Sequence, residues 1–207
     1  MNKDQSSHTA SVYDKIAGIY QDTFDELTDY IEEFIEMLPG DASILDAGCG
    51  VGKDSAFLHS KGFNMVGIDL SPGMIKIARK RYADIEFRLE DLREPNFPVR
   101  SFAGIICSFS LIHIPKKDIP DTLNKYYKLL KEKGALFLAL QGGQSKELFV
   151  DEPYKPGEKT FLNIFSEAEI TEELEKAGFT IVKMKDRTPE EGKEFNYQKL
   201  FVFAVKK

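Results

Sequence analysis

The chain has no tryptophan and only two cysteines, Cys49 and Cys107, in 207 residues. Two cysteines build no disulfide framework, and no Cys/His cluster has metal-ligand spacing, so no metal site is expected. Both thiols fall in apolar strand or turn contexts, where cysteine acts as a small hydrophobe. No apolar run approaches the ~20 residues needed to span a bilayer. The opening residues, Met1-Asn-Lys-Asp-Gln-Ser-Ser-His8, are polar and lack the apolar centre of a signal peptide. A cytoplasmic location with no membrane partner is the expectation. Basic charge is also in deficit: 28 Lys and Arg stand against 34 Asp and Glu, a net charge of −6. That balance opposes a broad nucleic-acid footprint. The local basic group Lys76, Arg79, Lys80 and Arg81 reads as the solvated face of a helix.

Apolar residues are not in deficit. They make up 42% of the chain, enough for the core of one medium domain. The periodicity predicts an amphipathic helix over 25–38, with Leu27, Ile31, Phe34 and Leu38 on one side and Pro39-Gly40 as its stop. Ahead of it, Val12–Tyr20 reads as a short helix or lid. Strands are predicted at Ser43–Ala47, Asn64–Asp69, Ile85–Leu89, Gly104–Phe109 and Ala135–Leu140, and helices at Val51–Ser60 and from Pro72 to Tyr82. Ser71 supplies the N-cap of the second of these. A further helix carries Ile119, Leu123, Tyr126 and Leu130 at helical spacing. Ser166-Glu-Ala-Glu169 is a capping box for a last helix that Gly178 ends. The final strands, Thr180–Lys185 and Lys199–Val205, are joined without a crossover helix and so pair antiparallel. Alternating strands and helices predict an α/β three-layer sandwich. Its sheet is seven-stranded and mostly parallel, with an antiparallel C-terminal strand. Residues 1–42 form an N-terminal helical cap and 43–207 the binding domain.

The stretch Ile44-Leu-Asp-Ala-Gly-Cys-Gly-Val-Gly-Lys-Asp-Ser55 carries the chemistry. A strand ends in Asp46, turns through Gly48, Gly50 and Gly52, and opens into a helix. The next strand ends in Asp69. Glycines at such a turn let backbone approach a ligand beside the positive end of a helix, and a carboxylate at the following strand tip can hold a ribose diol. The dinucleotide fingerprint is Gly-x-Gly-x-x-Gly; here the third glycine falls one residue early. Asp46 would repel a pyrophosphate and suit a cofactor bearing an ammonium and a sulfonium.

With these residues the chain resembles the class I, Rossmann-like S-adenosylmethionine-dependent methyltransferases of small-molecule type. The resemblance runs from about Ser43 to the C-terminus and implies S-adenosylmethionine as cofactor and a small-molecule methyl acceptor. It also implies roles. Asp46, Gly48, Cys49 and Gly50 serve the methionine end, and Asp69 the ribose hydroxyls. Leu70 and Met74 lie at the adenine, Asp91 accepts its amine, and the Leu92 N–H serves a ring nitrogen. The Ser108 carbonyl receives the cofactor ammonium. His113, just past the fourth strand, is the candidate general base. It stands equally as a cofactor contact or a loop support. Tyr13 and Tyr20 either cover the cofactor or pack on the sheet edge. Gln141–Phe165, a long connection with four aromatics, is the expected substrate cover.

The acceptor is left open. Ser108-Phe-Ser-Leu111 lacks the Asn/Asp-Pro-Pro-Tyr/Phe tetrapeptide of base-amino methyltransferases, and no paired-glutamate loop of arginine methylation is present. Two other readings stand beside methyl transfer: a non-catalytic cofactor-binding regulator and an NAD-dependent oxidoreductase. Oligomeric state is not specified.

Overall fold

The computed structural model describes residues 5–23, 27–190 and 194–207. Five parallel strands form the heart of the sheet: β1 (Ser43–Ala47), β2 (Asn64–Asp69), β3 (Glu86–Leu89), β4 (Phe102–Ser108) and β5 (Leu130–Gly142). They lie in the order β3-β2-β1-β4-β5. Register runs from Ser43↔Asn64 to Ala47↔Ile68 between β1 and β2, and Leu45 faces Ile105 of β4. The C-terminal strand β9 (Gln198–Lys206) is antiparallel to β5, from Ala135↔Val205 to Gly142↔Gln198. β8 (Phe179–Arg187) pairs antiparallel with β9 at the edge. The alternating and mostly parallel order is the predicted one, and the bounds of β1 and β2 match residue for residue.

Side chains alternate across this sheet and build two cores, as strands buried on both faces must. On one face Leu45, Ile105, Cys107, Leu136 and Leu138 meet α5 (Ile119–Leu129) and α6 (Glu167–Lys176). On the other, Ile44, Ile106, Phe137, Phe201 and Phe203 meet α2 (Ile31–Ile35), α3 (Lys53–Ser60) and α4 (Pro72–Arg81). Local signals set the helix ends as expected. Ser71 Oγ accepts the Met74 amide at 3.2 Å, and Ser166 Oγ accepts that of Glu169 at 3.2 Å.

Three expectations change. The sheet has nine strands among the described residues, not seven. Gln141–Phe165 is no open connection but ends β5 and folds into a hairpin, β6 (Lys146–Asp151) and β7 (Lys159–Phe165), paired from Lys146↔Ile164 to Asp151↔Lys159. Its turn holds Pro153, Pro156 and Gly157, the last at φ +90°, and Gln141↔Ile164 ties it to β5. The helix expected over 25–38 is confined to α2. Tyr30 takes a left-handed φ of 63°, which breaks the helical path before Ile31; residues 24–26 lie outside the described residues. Val12–Tyr20 belongs to a 19-residue helix, α1 (Gln5–Thr23). Thr9, Val12, Ile16 and Ala17 form its buried stripe, the 3.6-residue spacing of a packed helix.

Phe137 centres the aromatic part of the second core. Its ring stacks on Phe34 at 5.8 Å and on Phe201 at 6.4 Å, and it touches Phe203 at 4.9 Å. Phe137→Ala is expected to cost about 3–5 kcal/mol, read as a fall in the urea midpoint at constant m-value.

Candidate active site

A cavity of about 750 Å³ opens beyond the carboxyl ends of β1, β2 and β4, where ligands bind in open α/β sheets. Every residue the sequence singled out lines it: Tyr20, Asp46, Gly48, Cys49, Gly50, Asp69, Leu70, Met74, Asp91, Leu92, Ser108 and His113. Three covers close over it, namely α1, the β6–β7 turn and the segment after β8.

The glycine turn is closed on itself. The Gly48 and Cys49 amides donate to the Ile68 carbonyl at 2.8 and 2.9 Å, and the Gly52 amide donates to Cys49 O at 2.9 Å. The Gly50 amide donates to Asp69 Oδ2 at 2.9 Å, while Ser71 N donates to Asp69 Oδ1 at 2.8 Å. These amides are spent on protein acceptors, so the turn offers no nest for a phosphate. Gly48 sits at φ +86°, and a Cβ there would lie 2.2 Å from Ser110 Oγ. That hydroxyl lies between the carbonyls of Gly48 and Ser108, at 2.9 and 3.0 Å. Only glycine allows this approach.

Carboxylates crowd the same space. Asp46 is 2% exposed and accepts the Ser55 hydroxyl at 2.6 Å. Burial, with the charges of Asp54 and Asp69, pushes it up to about 8. Asp54, in the first turn of α3, accepts Thr28 N at 3.1 Å and Thr28 Oγ1 at 2.6 Å, and burial raises it too. Burial likewise raises Asp69. Apart from Lys53 beside Asp54, what acts on these acids is burial, hydrogen bonding and like charge, which suits a site for a cationic ligand. Asp91 differs, because the Arg93 guanidinium grips both its oxygens at 2.7–3.1 Å. Met74 is buried under α1 with Ala17 and Val51.

His113 has a definite tautomer. Its Nδ1 lies 2.7 Å from the Phe161 carbonyl, which can only accept, so Nδ1 carries the proton. Nε2 is therefore the acceptor for the Tyr13 hydroxyl at 3.1 Å. Burial lowers the imidazole to about 4. Both ring nitrogens are thus engaged, and the ring is a poor base near neutrality. The surroundings favour its role as a support: Ser6 Oγ donates to His113 O at 3.2 Å, and Thr9 Oγ1 accepts Phe161 N at 3.3 Å. Asp14 completes the clasp of α1 by accepting the Gly73 amide in the first turn of α4.

Sequence reasoning missed Asp54, Glu152, Arg187, Glu194 and Lys199, all lining the cavity, whereas Tyr154 reaches it from the expected substrate cover. Arg187 pairs with Asp29 at 2.7 Å and with Glu194 at 2.6 Å. The buried Lys199 ammonium pairs with Glu194 at 3.0 Å and donates to Gln141 Oε1 at 2.9 Å. Asp54 had a visible signal, an acid in a helix's first turn beside the glycines. The others come from segments distant in sequence.

Asp46 sets a pH dependence. Its folded-state pKa is raised, so the folded chain holds a proton that the unfolded chain releases near pH 4. Stability without ligand therefore falls as pH climbs from about 4 to about 8. Asp46→Asn is expected to raise the urea midpoint at pH 8.5, with the gap closing at pH 5. A gap of equal size at both pH values contradicts a protonated Asp46.

No helix among the described residues is long and apolar enough to cross a membrane, and they hold no metal-ligating cluster. A family profile described as "Methyltransferase domain" matches residues 20–184. The putative methyltransferase YqeM of Bacillus subtilis is 33% identical over 151 residues, covering 70% of this chain and 59% of that protein. Malonyl-[acyl-carrier protein] O-methyltransferase of Serratia marcescens is 32% identical over 143 residues, with 69% and 53% covered. The chain thus spans little more than half the length of these curated relatives. Among solved structures, a methyltransferase of Methanosarcina mazei superposes with a TM-score of 0.78 at 22% identity, over 87% of this chain and 98% of that one. The [4+2]-cyclase SpnF also reaches 0.78, at 14% identity and over 98% and 96% of the two chains, so the likeness of fold alone does not fix the reaction. The profile match over most of the chain does fix the family: this protein belongs to the methyltransferase-domain family.

Proposed function

We propose that the protein is an S-adenosylmethionine-dependent methyltransferase acting on a small molecule. One observation carries the reading: the glycine-turn amides are satisfied internally while buried Asp46 and half-buried Asp54 and Asp69 face the cavity. That set suits a cofactor with a sulfonium and an ammonium, and it opposes the pyrophosphate of NAD. Family membership supports it, and the Serratia relative is named a malonyl-[acyl-carrier protein] O-methyltransferase. The residues present fit the cofactor. Asp69 spends one lone pair of each oxygen on Gly50 and Ser71, leaving acceptor sites for two ribose hydroxyls. Asp46, Gly48, Cys49, Gly50 and the Ser108 carbonyl serve the methionine end. Leu70, Met74, Asp91 and Leu92 surround the adenine, and Tyr20 covers the site.

The bound cofactor supplies an electrophilic methyl group. The chain's own work is alignment and exclusion of water. α1 and the hairpin turn roof the cavity, and His113 holds Tyr13 in that roof instead of acting as a free base. The division into a cap, residues 1–42, and a binding domain, 43–207, belongs to the same proposal. So does a cytoplasmic setting, which suits two free, buried cysteines.

Asp69→Ala removes two charge-assisted hydrogen bonds to the ribose, each worth about 1.5–3 kcal/mol. Affinity for S-adenosylhomocysteine is expected to fall by one to a few orders of magnitude in calorimetry, with NADH giving no heat in either protein. Unchanged affinity in the variant, or tight NADH binding by the wild type, overturns the reading. His113→Ala is expected to lower the melting temperature through loss of the α1 clasp. The pH–rate profile should show no inflection between 6 and 7 in the wild type that the variant lacks; such an inflection would reinstate His113 as the base.

A further inference from the structure

The cavity has a second acidic wall, away from the glycine turn. Glu152 follows β6 and is 4% exposed. Its Oε2 accepts the Thr160 hydroxyl at 3.0 Å and its Oε1 accepts the Tyr154 amide at 3.3 Å. Tyr13, Tyr20 and Tyr154 line the same cavity. The Tyr13 and Tyr20 rings meet edge to face, 5.9 Å apart at 80°. After burial, the Glu152 charge is among the causes that raise all three phenols, so they stay protonated around one carboxyl group. The sign of the cavity agrees. Eight of its lining residues are Asp or Glu and three are Lys or Arg. Of those three, Arg187 and Lys199 are already in ion pairs with Asp29 and Glu194.

A buried carboxylate in a cavity that phenol rings also line is a receptor for a compact cation. The charge replaces part of the ion's lost hydration, and the ring faces attract what remains. An anionic acceptor would instead meet a lining in which acids outnumber bases eight to three. We propose that the methyl acceptor is a small primary or secondary amine, bound as its ammonium ion by Glu152 between Tyr13, Tyr20 and Tyr154. This rests on the methyl-transfer reading above. An ammonium nitrogen has no lone pair, so one N–H proton passes to the Glu152 carboxylate first; burial already raises that group. The freed nitrogen pair then forms the N–C bond as the carbon–sulfur bond breaks, its electrons staying on sulfur. The product is again an ammonium ion, and the Glu152 proton returns to water.

Binding tests this without turnover. The complex with S-adenosylhomocysteine is titrated with butylamine, 1-butanol and butyrate, and with benzylamine, benzyl alcohol and benzoate, by saturation-transfer NMR. At least one amine is expected to bind tenfold or more tighter than its alcohol, and neither carboxylate to bind. In Glu152→Gln that preference should vanish while S-adenosylhomocysteine affinity stays within about threefold. In Tyr154→Leu it should shrink severalfold. Amines that bind no better than their alcohols, or a preference that survives Glu152→Gln, overturn the amine proposal and leave the cofactor reading standing. A loss of S-adenosylhomocysteine affinity in Glu152→Gln also overturns it, by placing Glu152 on the cofactor. Failure of the wild type to bind S-adenosylhomocysteine at all removes the cofactor reading and the amine proposal with it.

Discussion

Two turns of this protein are held together by one carboxylate. Asp69 takes the Gly50 amide on one oxygen and the Ser71 amide on the other, so the β1–α3 turn and the β2–α4 turn cannot move apart without leaving a buried donor unpaired. An unmade hydrogen bond of that kind costs about 1–3 kcal/mol. Gly48 and Cys49 add a second link, since both amides converge on Ile68 O. Floor and wall of the cavity are therefore one rigid piece, and the acids it carries are fixed before any ligand arrives. That rigidity matters because a preorganised charge is worth more than one that must be gathered on binding.

The fixed acids are also a liability. Asp54 and Asp69 add like charge to Asp46, and burial drives all three toward their protonated forms. A chain selected for stability alone would place neutral or apolar groups here. The cost is local and is carried by the two flanking cores, where strands β1, β4 and β5 are buried on both faces. The repulsion among these like charges is relieved once a cation enters.

The strands and turns of this core were legible because the signals are local. Apolar runs of five or six residues bounded by an acid and glycines fixed β1 and β2, and side-chain caps at Ser71 and Ser166 fixed α4 and α6. The twelve predicted site residues line one cavity for the same reason: most lie at the ends of parallel strands, and parallel topology brings those ends together. What escaped was set by tertiary pairing. In β6 only Leu148 and Val150 are half-buried, while Lys146, Glu147, Phe149 and Asp151 are exposed, so the alternation is diluted and the sequence reads as a connection. Tyr30 in a left-handed conformation gave no sequence sign. Glu152, Arg187 and Lys199 reach the cavity from three separate segments, and no spacing rule links them.

His113 shows how tertiary partners choose among the roles a sequence position offers. Its place after β4 put it in the cavity as expected, yet its chemistry is decided by Phe161 and Tyr13, 48 and 100 residues away in the chain. The Phe161 carbonyl consumes the Nδ1 proton, and the Tyr13 hydroxyl covers Nε2. A ring so placed gains more as a fixed acceptor than as a base. Moving a proton onto it would break the Tyr13 bond and put a cation in a buried setting that already lowers its pKa to about 4. The displaced proton of an amine acceptor must then go to a group whose charged form is penalised by burial in the other direction. A buried carboxylate meets that condition, because neutralisation relieves its desolvation while the imidazole's protonation would deepen it. Glu152, which lines the cavity together with Tyr13 of the helix that His113 clasps, is a carboxylate of that kind.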